Sequence, residues 1–204
     1  MRHTTACGHP HGHWLTAAGL AWLLLSGAAQ AAPQAFTVLN ETGQPLPQAV
    51  VSVITAKGEK VNGAGTVVDM GQRNRQFTPT VVAVPVGGAV NFPNYDTVRH
   101  HVYSFSNTRK FEIKLYSGTP AAPVVFDKPG TATLGCNIHD GMIGYIHVVD
   151  TPFYGVTDAQ GRLTLDVPAG DHKVRIWAPA MGEAAPPVEF NLRTGPAATY
   201  RVKG

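Results

Sequence analysis

The chain is 204 residues long, with a formal net charge of +3, a pI near 9.0 and only 14% charged residues. Its Lys and Arg are scattered along the sequence, which excludes the basic stripe of a nucleic-acid-binding surface. The 22 Gly and 16 Pro, with no sustained helical period, exclude a helix bundle and point to an all-β class.

In chain order, Arg2 and a group of histidines come first, then the apolar run WLTAAGLAWLLL (14–25), then small residues ending at Ala29 and Ala31. Basic, apolar and small residues in that order form an export signal, residues 1–31, cut after Ala31. The apolar run is too short for the roughly 20 residues that span a bilayer, so the expectation is a periplasmic protein with no membrane span after cleavage. Cys7 leaves with the signal, and Cys136 remains as the one thiol. A lone thiol in an oxidising compartment is liable to oxidise unless it is buried or occupied.

Beyond the signal, short apolar and β-branched runs alternate with Gly, Pro, Asn and Asp: VVSVI (50–54), TVVAVPV (80–86), HHVYSF (100–105), PVVF (123–126), YIHVVD (145–150), LTLDV (163–167) and HKVRIW (172–177). This spacing predicts a β-sandwich. Near the start, G-x-P-L-x-x-A-x-V-x-V runs from Gly43 to Val53, and T-D-x-x-G-x-L, P-x-G and W-x-P follow between Thr157 and Pro179. Together they resemble the carboxypeptidase regulatory-like domain, a small transthyretin-like sandwich. The middle of that pattern is replaced by residues 66–150. The resemblance therefore implies a second domain inserted into a discontinuous one, 36–65 with 151–204. The other reading keeps the flanks as extra strands of one enlarged sandwich.

Within residues 66–150, LGCNIHDGMIG (134–144) spaces Cys136, His139 and Met142 as C-x-x-H-x-x-M. Thiolate, imidazole and thioether form a soft, mixed donor set that suits copper, whereas zinc usually recruits further Cys, His or carboxylate. Upstream, VNFPNYDTVRHHVYSF (90–105) places Asn94 six residues before His100 and Val102 two after it. The N-x-D-x-x-x-H-x-V pattern and the ligand loop resemble the cupredoxin family, with a loop of amicyanin or plastocyanin type. The resemblance implies a Greek-key β-sandwich holding one copper ion, Cu(I) or Cu(II), through His100, Cys136, His139 and Met142. Adjacent strand side chains point to opposite faces, so only one of His100 and His101 meets the metal. The count from Asn94 selects His100, and a count back from Phe105 selects His101. By the same resemblance, Asn94 ties the strand of the first His to the Cys loop. His147 and His172 read as surface or strand residues.

Four protein donors leave no open position for a substrate, and no catalytic triad, phosphate loop or carboxylate pair competes, so no enzyme activity is expected. The expected function is one-electron transfer through a blue copper site. His139 would pass electrons out, within an apolar rim of Ile138, Met142, Ile143 and Pro93, to an unidentified periplasmic redox protein. Copper storage or delivery, and a binding module with a structural copper, are the other readings. Storage favours exposed Met clusters, and beyond the signal the chain has only Met70, Met142 and Met181. Similar proteins are labelled methylamine-utilisation proteins, and no residue here carries a link to methylamine.

Overall fold

The computed structural model describes Met1, His3 and residues 31–203. Apart from Met1, His3 and Ala31, the predicted export signal lies outside the described residues. Two strands come first, β1 (Ala31–Leu39) and β2 (Val50–Ile54). A run of short strands follows: β3 (Val67–Asp69), β4 (Gly71–Arg73), β5 (Gln76–Thr78), β6 (Val81–Pro85) and β7 (Gly88–Asn91). Next are β8 (His100–Ser104), β9 (Phe111–Tyr116), β10 (Val124–Phe126), β11 (Gly130–Leu134) and β12 (Gly144–Val149). The chain ends with β13 (Phe153–Val156), β14 (Arg162–Pro168), β15 (Asp171–Trp177), β16 (Val188–Arg193) and β17 (Ala197–Arg201), with one 3-10 turn at Pro179–Met181. No helix among the described residues is long and apolar enough to cross a membrane.

The first two and last five strands pair with one another, in sheets ordered β14-β1-β17 and β13-β2-β15-β16. Val53 lies opposite Val174, and Val51 opposite Ile176. Alternation on β15 explains why: Val174 and Ile176 turn inward while Lys173 and Arg175 face outward. The two sheets close on Phe36, Val38, Val51, Val53, Val167, Val174, Ile176 and Leu192, a core of apolar side chains. Thr157, from the T-D-x-x-G-x-L pattern, ties this sandwich together: its Oγ1 accepts from the Ala49 amide at 2.9 Å and donates to the Leu46 carbonyl at 2.8 Å. In the DAQG turn Gly161 has φ +68, and a Cβ there would come within 2.4 Å of the Val38 carbonyl oxygen, so only glycine fits.

Strands β3 to β12 form sheets β10-β7-β3 and β11-β12-β6 and the hairpins β4-β5 and β8-β9. They surround a second core that includes Met70, Phe77, Phe92, Val102, Phe126, Leu134, Ile146, Cys136 and Met142. Between the two cores lies a third cluster of Val50, Val81, Val149 and Trp177. It accounts for two strands buried on both faces, β2 and β12. Strand β2 sends Val51 and Val53 into one core and Val50 into the junction, and β12 sends Ile146 and Val148 into the other core and Val149 into the junction. Strands covered on both faces lose polar alternation. His147 and His172, read from sequence as surface or strand residues, are strand residues and both are buried. The His147 ring stacks on Trp177, with centroids 5.0 Å apart and planes at 14°.

Candidate metal centre

Strand β8 presents its two histidines to opposite faces. His100 is 0% exposed and directs Nδ1 toward the Cys136 Sγ at 3.7 Å. His101 faces the other way, its Nε2 2.8 Å from Glu112 Oε1 on β9. The count from Asn94 thus picks the histidine that joins the thiol. The count from Phe105 fails at its premise, because Phe105 is 77% exposed and belongs to no core.

Cys136 opens the loop between β11 and β12. The preceding Gly135 exchanges two backbone hydrogen bonds with Tyr103 of β8: its amide donates to the Tyr103 carbonyl at 3.0 Å, and the Tyr103 amide donates back at 3.1 Å. A Cβ at position 135 would lie 2.6 Å from the Tyr103 ring, so glycine lets loop and strand approach this closely. Three residues beyond Cys136, His139 turns back until its Nδ1 lies 3.8 Å from Sγ. The Met142 amide donates to the His139 carbonyl at 3.3 Å and closes the turn, with Gly141 at φ +79. The His100 and His139 rings lie 4.9 Å apart.

The donor atoms of His100, Cys136 and His139 all fall within 4.8 Å of one another and can coordinate a metal ion. Bonds of about 2.05 Å to nitrogen and about 2.3 Å to sulfur, opened at about 110° in a tetrahedral site or about 120° in a trigonal one, separate sulfur from nitrogen by about 3.6 to 3.8 Å. The observed 3.7 and 3.8 Å separations meet that condition on both sides of the thiol. Met142 is 3% exposed and shares the core cluster of Cys136.

Two expectations are corrected. None of the hydrogen bonds of Asn94 among the described residues reaches the Cys136 loop. Its side chain donates to the carbonyls of Val98 at 2.9 Å and Tyr116 at 3.1 Å and accepts from the Asp96 amide at 2.9 Å. It shapes the approach to β8, and the tie to the Cys loop is the Tyr103–Gly135 bridge. The apolar rim is also smaller than expected. Ile138 and Ile143 are exposed, but Pro93 and Met142 are buried.

One residue of the site was missed. Asp96 Oδ2 lies 2.8 Å from His100 Nε2, and its carboxylate also accepts from the backbone amides of Asn74 at 2.7 Å and Arg75 at 2.9 Å. Burial would raise its pKa, but hydrogen bonds from the Arg75 amide, His100 and the Asn74 amide outweigh it and hold the carboxyl below its usual range. The acidic position of the N-x-D-x-x-x-H pattern was the available signal. For His139, burial lowers the pKa, His100 and Arg75 lower it further, and Asp96 opposes them.

No protein-family model and no curated protein matches this chain. Among solved structures it is similar to a purple cupredoxin from Nitrosopumilus maritimus, 21% identical over 41% of this chain and 99% of that one, with a TM-score of 0.35. A reduced mutant amicyanin is 21% identical over 50% of this chain and 99% of its own, with a TM-score of 0.36. A copper-containing nitrite reductase from Thermus scotoductus is 23% identical over 56% of this chain, with a TM-score of 0.38, and only 28% of that enzyme's length is spanned.

Proposed function

We propose that this chain is an exported, periplasmic cupredoxin that carries single electrons through one copper ion that would be held by His100, Cys136 and His139, with Met142 as a fourth, weaker donor. The observation that carries the reading is the pair of sulfur–nitrogen separations, 3.7 and 3.8 Å, centred on a buried thiol. Two imidazoles, one thiolate and a weak thioether are the donor set of copper electron-transfer sites, and zinc seldom takes a thioether. Copper bound there would supply a one-electron couple.

The chain's own residues supply rigidity and access. His100 is held at both ring nitrogens, by Cys136 on one side and Asp96 on the other. The Gly135–Tyr103 bridge anchors the root of the Cys136 side chain. Donors fixed in this way rearrange little when the charge of the site changes, and this favours fast transfer. His139 is only partly buried and is the donor nearest solvent, with Ile138 and Ile143 exposed beside it as a small apolar contact for a periplasmic redox protein. With Met142 as the fourth donor the ion would have no open position, which supports a carrier rather than an enzyme. Export rests on residues 1–31. Residues 66–150 as a copper domain inserted in a discontinuous sandwich, 36–65 with 151–204, are part of the same proposal, supported by the pairing of β2 with β13 and β15.

The test is to add Cu(II) to the metal-free protein and record optical and paramagnetic resonance spectra. The wild type and His101→Ala are expected to develop the intense visible band of thiolate-to-Cu(II) charge transfer, and Cys136→Ser and His100→Ala to lack it. A colourless wild type, or a Cys136→Ser protein that keeps the band, overturns the assignment.

A further inference from the structure

The hairpin β4-β5 turns through Asn74 and Arg75, both at positive φ, +54 and +59. Two successive residues of this hand aim their amides the same way and form a small anion-binding concavity. The anion seated in it is the Asp96 carboxylate: Oδ1 accepts from Asn74 at 2.7 Å and Oδ2 from Arg75 at 2.9 Å. The Asp96 amide is tied in turn to Asn94 Oδ1 at 2.9 Å, so the residue is held from both ends. Its Oδ2 then meets Nε2 of a histidine that is 0% exposed, at 2.8 Å. An ionised carboxylate only accepts hydrogen bonds, so Nε2 must carry the imidazole proton. Nδ1 is left with its lone pair toward Cys136.

We infer that Asp96 is a positioning residue that locks His100 in its Nε2–H tautomer and, through that hydrogen bond, sets the preference of the metal site for the more highly charged ion. A carboxylate bonded to the far N–H draws the proton toward itself and makes Nδ1 a stronger donor. A stronger donor favours Cu(II) over Cu(I) and lowers the reduction potential. The second half of the inference rests on the copper reading above, and the tautomer does not.

Nitrogen-15 correlation spectra of the imidazoles in the metal-free protein at mildly alkaline pH test the first half. His100 is expected as the Nε2–H form in the wild type and as a mixture of tautomers in Asp96→Ala. An Nδ1–H form in the wild type overturns the inference. The second half is read from the potential of copper-loaded Asp96→Asn, which keeps the shape of the side chain and removes its charge. Outer partners of metal ligands commonly change metal affinity by about tenfold or more. A tenfold loss confined to Cu(II) raises a one-electron potential by about 59 mV. Asp96→Glu, which restores the charge, should move the potential back toward the wild type. An Asp96→Asn protein with the visible band and an unchanged potential overturns the tuning role. If the wild type never develops the band, the copper reading fails by itself, while the tautomer of metal-free His100 still decides whether Asp96 positions the ring.

Discussion

Between Phe36, Val51, Val53, Val174 and Ile176 the flanking sandwich closes on itself with apolar side chains, while the central sandwich runs from Phe92 and Leu134 into Cys136 and Met142 at one end. The same physics of β-branched and aromatic burial builds both. They differ in how they use buried polar groups. In the flanks, Thr157 and Thr151 direct their hydroxyls at backbone carbonyls, Leu46 and Val53, so their bonding capacity is absorbed by the fold. In the central sandwich His100 is just as buried, yet its two nitrogens face a carboxylate and a thiol contributed by two loops. A core becomes a candidate metal site where polar donors are held in place without being satisfied by the backbone.

The contrast assumes that the two cores are largely separate and meet at one junction, and the largest expected effect tests that junction. Trp177 is 0% exposed, stacks on His147 and donates its Nε1–H to the Gly182 carbonyl at 3.1 Å. Trp177→Ala should cost about 3–5 kcal/mol in denaturant unfolding and split a single transition into two. A loss below about 1 kcal/mol would mean that the junction couples nothing.

A paired substitution is next in size. Leu134→Ala in the central core and Ile176→Ala in the flanking core, both residues at 0% exposure, should each cost about 2–5 kcal/mol. Copper at about 100 times its Kd should return about 2.7 kcal/mol to the transition of the central core, because a ligand stabilises only the unit that binds it. In the Trp177→Ala background, where the two cores melt apart, the central transition of Leu134→Ala should therefore respond to copper, and the flanking transition of Ile176→Ala should not. Equal copper shifts in both would erase the distinction between the cores.

The smallest effect is one of pH and returns to the junction. Burial lowers the pKa of His147 from 6.5 to about 4, and its Nδ1 pairs with the Thr131 hydroxyl at 2.9 Å. Between those values the unfolded chain takes up a proton that the folded chain refuses. The contribution is therefore complete above pH 6.5 and is lost as pH falls toward 4, by at most about 3 kcal/mol. Subtracting the stability of His147→Phe from that of the wild type at each pH isolates this slope from His139 and the carboxylates. Parallel curves for the two proteins would show that His147 does not resist protonation.

The cluster could be read from the sequence because its members sit on fixed local spacings, three residues from Cys136 to His139 and six from Asn94 to His100. The pairing of the flanks could be read for a similar reason, since Gly43, Pro45, Thr157 and Gly161 mark turns by their residue type. Asp96 stands in the N-x-D-x-x-x-H pattern, but its seat in the Asn74–Arg75 turn escaped because nothing in the spacing joins the two. The strands β3, β4 and β5, each of three residues, are too short to display any period. Alternation runs from Phe111 to Lys114, with Glu112 and Lys114 exposed, and breaks at the exposed Leu115. The burial of Pro93 and Met142 was hidden because neither proline nor methionine signals by type which side of a loop it will take.

The order of pairing has a consequence for synthesis. Strand β1 pairs with β14 and β17, and β2 with β13 and β15, so every strand partner of the first two strands is made after the loop that carries Cys136. While the ribosome works through residues 67–149, the strands of the central sandwich can pair among themselves, since all their ladder partners lie in that interval. The first two strands meanwhile wait with open edges, a state in which β-chains associate wrongly. The flanking sandwich can close only after its last strands are made, so Val50–Ile54 lacks both of its strand neighbours until Phe153–Val156 and then Asp171–Trp177 have followed, a long-range pairing of the kind that forms slowly.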